Sequence, residues 1–163
     1  MPVRPVSRRY LRVAEATAAS AADIRSSAID LLARREHSYQ ELIDKLSRRY
    51  TDDQLLRQEL DKLAEDKLQS DSRYCEVYVR SRRRRGYGPR RISQELRQRR
   101  VCDQLIQEQV WQEQNNWLSV LQELYQKRYG DRLPLDSKDK AKRVRFLQSR
   151  GFDFDMIRDV TCP

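Results

Sequence analysis

Apolar side chains recur along this chain at helical spacing and almost never at strand spacing. Ile24, Ala28, Leu31 and Leu32 fall at i, i+4, i+7 and i+8, which predicts a first helix over about residues 23–35. His37-Ser38 breaks it, Ser38 with Glu41 reads as a capping box, and Leu42 and Leu46 give a second helix its buried side. Thr51 reads as the cap of a third helix, with Asp52-Asp53 at its positive end and Leu56, Leu60 and Leu63 turned inward. Beyond a polar joint at 66–71, Tyr74, Val77 and Tyr78 mark a fourth helix, Ile92 and Leu96 a fifth, and Ile106 and Val110 a sixth over about residues 102–112. Trp117, Leu121, Leu124 and Tyr125 mark a seventh, and the loop 130–135 precedes helices over about residues 137–150 and 153–160.

One joint repeats. Tyr50 precedes Leu55 by five residues, Val101 precedes Ile106 by five, and Phe152 precedes Ile157 by five, so each joint residue can staple onto the helix that follows. The expected fold is all-α: three tandem three-helix modules stacked into an elongated, curved array, over residues 23–69, 70–114 and 115–163, after a tail at 1–22. Each module alone is marginal and gains core by stacking.

Charge changes the picture most. The stretch 80–100 holds ten arginines and one acid, Glu95, so its net charge of +9 equals that of the whole chain, and the other 142 residues sum to neutral. Every cation in it is arginine, the choice where a planar fork grips phosphate or carboxylate. Gly86-Tyr87-Gly88-Pro89 ends one helix and starts the next, with Gly88 as N-cap and Pro89 at N1, which sets a helix N-terminus beside the run as a place for phosphate. Most charge runs are solvated faces, but these like charges repel with no acid in the run sufficient to offset them, which favours an anionic partner. The candidate binding residues are Arg80, Arg82, Arg83, Arg84, Arg85, Tyr87, Arg90, Arg91 and Arg97.

Composition bounds the rest. At 36% charged and 38% hydrophobic the chain suits thin helical layers, and no run is long enough to cross a bilayer. Cys75, Cys102 and Cys162 match no metal-ligand spacing, and an odd count suits a reducing compartment. The basic, Ala- and Ser-rich residues 1–22 have the composition of a disordered bacterial tail or of an organellar presequence, the tail being the favoured reading. Catalysis finds little support: the one histidine, His37, sits at a helix junction, the paired acids are helix starts, and glycines at 86, 88, 130 and 151 form no phosphate loop. Trp111, Trp117, Tyr125 and Tyr129 have the spacing of core residues.

Arg73-Tyr74, Tyr78, Arg82, Gly86-Tyr87-Gly88-Pro89, Ile92, Glu95-Leu96 and Val101 together resemble the signature of the RecX family, regulators of the RecA recombinase. Ser38-x-x-Glu41-Leu42-x-x-Lys45-Leu46 resembles that family's first repeat, and Phe146-Leu147-x-x-Arg150-Gly151-Phe152 its last. The likeness covers about residues 25–160, with two departures that bear on turns: Arg100 where the family usually has Gly, and Ser70 where it often has an acid. The resemblance implies a non-enzymatic modulator that lodges in the groove of the RecA–DNA filament and bridges neighbouring protomers. There it would lower RecA's recombinase, ATPase and co-protease activities, and so modulate DNA repair and recombination. A cytoplasmic monomer without cofactor is expected. The residues alone leave an alternative open: a helical DNA- or RNA-binding protein that uses the arginines directly.

Overall fold

The computed structural model describes residues 20–161. Among them the chain forms nine α-helices and no strand: α1 (Ala21–Leu32), α2 (Tyr39–Leu46), α3 (Asp53–Glu65), α4 (Asp71–Arg84), α5 (Pro89–Gln98), α6 (Asp103–Val110), α7 (Trp117–Tyr129), α8 (Ser137–Ser149) and α9 (Phe154–Thr161). The all-α expectation holds.

Local chemistry sets the ends, in places differently from expectation. The reciprocal capping box is at Ser20 and Asp23, so α1 starts within what read as tail; residues 1–19 lie outside the described part. Ser38 caps α2 through the Glu41 amide, but the Glu41 carboxylate turns away to other partners. Asp52, not Thr51, caps α3, its carboxylate accepting from the Leu55 amide at 2.9 Å. Val77 is exposed, and α4 instead buries Tyr74, Cys75 and Val79.

The three joints bury Tyr50, Val101 and Phe152, yet the first differs in register. After α5 and α8, Arg100 and Gly151 take positive φ (57° and 94°), and the next amides, of Val101 and Phe152, reach back five residues to Leu96 and Leu147. After α2 no residue does this, and the Tyr50 amide reaches back only four, to Leu46. The following helix is thereby shifted by one position, so Leu56 rather than Leu55 is fully buried. Arg100 thus holds, as a non-glycine, the left-handed position that glycine fills at 151.

The cores are two. Ile24, Ala28, Leu42, Leu46, Leu56, Leu60 and Leu63 close one beneath α1–α3. A second runs without interruption from Tyr74 and Leu96 to Leu121, Leu147 and Ile157, so α4–α9 share one interior. At the first seam Asp71 accepts from the Tyr39 amide (2.8 Å) and from Gln69 (2.8 Å), and Arg73 pairs with Glu36 (2.8 Å). At the second, the backbone itself docks: the amides of Gly88 and Arg90 donate to the carbonyls of Arg150 (2.8 Å) and Gly151 (3.1 Å).

Candidate functional site

That second seam revises the expected phosphate site. Gly88 and Pro89 do start α5 as N-cap and N1. The Gly88 and Arg90 amides, however, donate to the carbonyls that follow α8, Pro89 has no N–H, and Gly151 packs directly against the Arg91 amide. The positive end of α5 meets the negative end of α8, which is favourable for both dipoles and leaves no open anion cradle there.

The arginines separate into two groups. Arg82 lies 2.8 Å from Glu95 and stacks on the rings of Tyr78 (5.2 Å) and Tyr87 (5.0 Å). Arg91 holds the other Glu95 oxygen at 3.2 Å, covers Tyr87 (4.9 Å) and donates to the Ser149 carbonyl. Arg90 pairs with Asp153, and Arg97 with Asp103 at 2.6 Å. Arg83 is half-buried, near Asn115 (3.4 Å) and the ring of Trp117 (5.9 Å). Acids that neutralise the run therefore come from Glu95 within it and from Glu41, Asp103 and Asp153 outside it. Among the described residues, Arg80, Arg84, Arg85 and Arg100 have exposed side chains with no ion pair, Arg100 reaching only the neutral Gln40 amide (3.4 Å), and they carry the exposed free charge of the run.

A ladder of rings and charges links the modules. Glu41 of α2 accepts from Arg35 (2.9 Å), His37 (3.1 Å) and Tyr74 (3.2 Å), with Arg99 at 3.7 Å. Arg99 stacks on Tyr78 (4.8 Å), whose hydroxyl donates to Glu95 (2.7 Å). Tyr87 carries the ladder to Arg150 (4.8 Å), and Arg150 to Phe146 (5.2 Å). Glu41, Arg99 and Arg150 were not among the expected site residues; Arg99 belongs to the run, and only the fold brings Glu41 and Arg150 to it. Tyr87 thus acts as a shared ring face for Arg82, Arg91 and Arg150.

Burial alone would raise the Glu41 pKa, but Arg35, Tyr74 and His37 hold it below its ordinary 4.5. Glu95 is lowered likewise, by Tyr78, Arg91 and Arg82 against burial. Burial, with the Arg35 charge, lowers His37 from 6.5. Each group binds protons more readily unfolded than folded, so each loses stability as pH falls: His37 below 6.5, the glutamates below 4.5. The melting temperature should therefore fall in two stages on acidification, and His37→Gln should remove the first. A melting temperature unchanged between pH 7.5 and 5.5 would show that His37 protonates freely in the folded chain. Burial also pushes the Cys75 thiol up to about 12, making it a core side chain, while Cys102 is exposed. Trp117 is buried, but Trp111 is 42% exposed and does not join the core.

Tandem three-helix groups, joined by polar side chains at the first seam and by backbone hydrogen bonds at the second, with a cation cluster at the second seam, define an all-α protein of repeated three-helix domains. Two family models match: "RecX, second three-helix domain" over residues 70–108 and "RecX, third three-helix domain" over residues 118–161. The chain is 44% identical over 146 residues to regulatory protein RecX of Halorhodospira halophila, covering 90% of each chain. It is 44% identical over 134 residues to regulatory protein RecX of Ectopseudomonas mendocina, covering 82% of this chain and 89% of that one. Its fold is that of a crystal structure of regulatory protein RecX (TM-score 0.71, 20% identity, all of this chain and 81% of the other). RecX from Lactobacillus salivarius superposes similarly (TM-score 0.70, 22% identity, 86% and 93%). The chain belongs to the RecX family.

Proposed function

We propose that this protein is a non-enzymatic regulator that binds the RecA–DNA filament in its groove and restrains RecA's ATPase, strand-exchange and co-protease activities. The observation that carries the reading is identity above 40% to proteins named regulatory protein RecX, over most of both chains. The physics is compatible. A row of three-helix modules can follow a helical groove, and the unpaired Arg80, Arg84 and Arg85 supply charge for DNA phosphates or an acidic protein wall. No helix among the described residues is long and apolar enough to cross a membrane.

Filament recognition sets this reading apart from direct nucleic-acid binding. Labelled protein should bind an ATP-state RecA–single-stranded DNA filament more tightly than it binds free RecA or naked DNA, read by anisotropy at fixed salt. Equal affinity for naked DNA and filament would favour the alternative, a helical nucleic-acid-binding protein.

A further inference from the structure

A second concave surface lies beside the arginine run, on the far side of the α5–α8 seam. It is a cleft of about 500 Å³ between the end of α4, the outer face of α7 and the end of α8. Six cations line it, Arg83, Arg84, Arg85, Lys127, Arg128 and Arg150, against one acid, Glu123. Its floor is apolar: Val120, Leu124 and Phe146. Cations at helix C-termini can simply offset the dipole, and that explains part of the cluster. The C-terminal turns of α4, α7 and α8, with Lys127 and Arg128 in that of α7, together carry only about one and a half negative charges, however, so most of the positive charge is left over.

The forks are also held in place before any ligand arrives. Arg128 lies over Phe146 at 4.0 Å, and Arg150 is stacked between Phe146 (5.2 Å) and Tyr87 (4.8 Å). Guanidinium planes held over rings keep N–H edges for an anion, in Arg150 those other than the Nη1 that lies 3.5 Å from the Arg85 carbonyl. The buried Nε of Arg83 has no hydrogen-bond partner in the structure. A polyanion entering here meets oriented donors and little else.

That donor-only character decides between ligands. Arg and Lys side chains offer N–H groups and no acceptor. An acidic peptide brings backbone N–H groups that need acceptors, and Glu123 is the only carboxylate in the lining. A deoxyribose–phosphate backbone brings acceptors and no donors, with apolar sugar faces suited to Val120 and Leu124. The faces of Phe146 are taken by arginines, so no ring is open for base stacking. We infer that this cleft is a sequence-independent binding site for the phosphate backbone of one DNA strand, built by Arg84, Arg85, Lys127, Arg128 and Arg150. Its place in a filament rests on the regulatory reading above, but the binding itself is separable from it.

The test uses the full chain without RecA. Anisotropy of a labelled oligo(dT) strand, titrated between 50 and 200 mM salt, should show affinity falling about 130-fold if five phosphates are neutralised, a slope of about −3.5. Lys127→Gln/Arg128→Gln should flatten the slope by about 1.4 units, and Arg84→Gln/Arg85→Gln, on the opposite wall, should do the same. Arg57→Gln, a cation paired with Asp53 on α3 away from the cleft, should leave the slope unchanged. Circular dichroism melting keeps the comparison to folded variants, and the two double variants need not fail together. Wild-type slopes in both double variants would overturn the inference, leaving filament regulation intact. Loss of polyglutamate binding with oligo(dT) binding unchanged would also overturn it, making the ligand an acidic protein segment.

Discussion

Gly151→Ala should unfold or open the interior shared by α4–α9, at a cost of about 2–5 kcal/mol. Gly151 has φ +94°, where an L side chain costs about 1–2 kcal/mol. A Cβ there would sit 2.4 Å from the Arg91 Cβ, 2.5 Å from its N and 3.0 Å from its Cα, in the first turn of α5. Those atoms cannot swing aside as a side-chain tip can, so overpacking adds about 1–3 kcal/mol or the α5–α8 seam parts. The reverse face is as tight, since a Cβ on Gly88 would lie 2.5 Å from the Gly151 carbonyl oxygen. Gly86→Ala is the control: its φ is +72°, but its Cβ would meet only the mobile Leu124 methyl at 3.0 Å. Urea unfolding should show a loss for Gly151→Ala larger by about 1–3 kcal/mol than for Gly86→Ala. The core beneath α1–α3, being separate, should melt as before. Equal losses in the two variants would mean that the backbones do not approach so closely.

Much of the fold was legible because amphipathic spacing and caps are local. Leu42 with Leu46, Leu60 with Leu63 and Ile92 with Leu96 are each one helical turn apart, and each pair is buried as their spacing implies. The register of the first joint was not legible, because it depends on a backbone turn that residue spacing does not encode. Glycine announces that turn at 151, arginine hides it at 100, and at Arg49 it is missing. The site was legible only as a quantity of charge. A count along the sequence cannot say which acid folds back, so Arg82, Arg90, Arg91 and Arg97 looked alike with Arg84 and Arg85. In the fold, Glu95, Asp153 and Asp103 take the first four, and Arg84 and Arg85 stay free. Asp103 lies six residues beyond Arg97 and could have been paired with it; Asp153 and Glu41 reach the run only through the seams. The same limit hid Lys127, Arg128 and Arg150, which α7 and α8 carry to the cleft.

The second large effect expected is on RecA itself. A protein that lodges in a filament groove and bridges neighbouring protomers acts on more than the protomers it touches, because one lodged copy can halt the growth of everything beyond it. A protein that merely covers DNA acts in proportion to the DNA it occupies, and added DNA restores activity. Substoichiometric protein should therefore suppress the single-stranded-DNA-dependent ATPase of the RecA from its own organism, and surplus DNA should not restore it. Gly151→Ala, with its second interior opened, should lose the effect, whereas Arg57→Gln, on α3, should keep it. Titration of wild-type protein against preformed, ATP-state filaments, followed by phosphate release, is the most direct measurement. Regulation of the filament predicts a fall in rate well below one protein per RecA protomer; a rate that stays constant under excess protein, or recovers in step with added DNA, would contradict it.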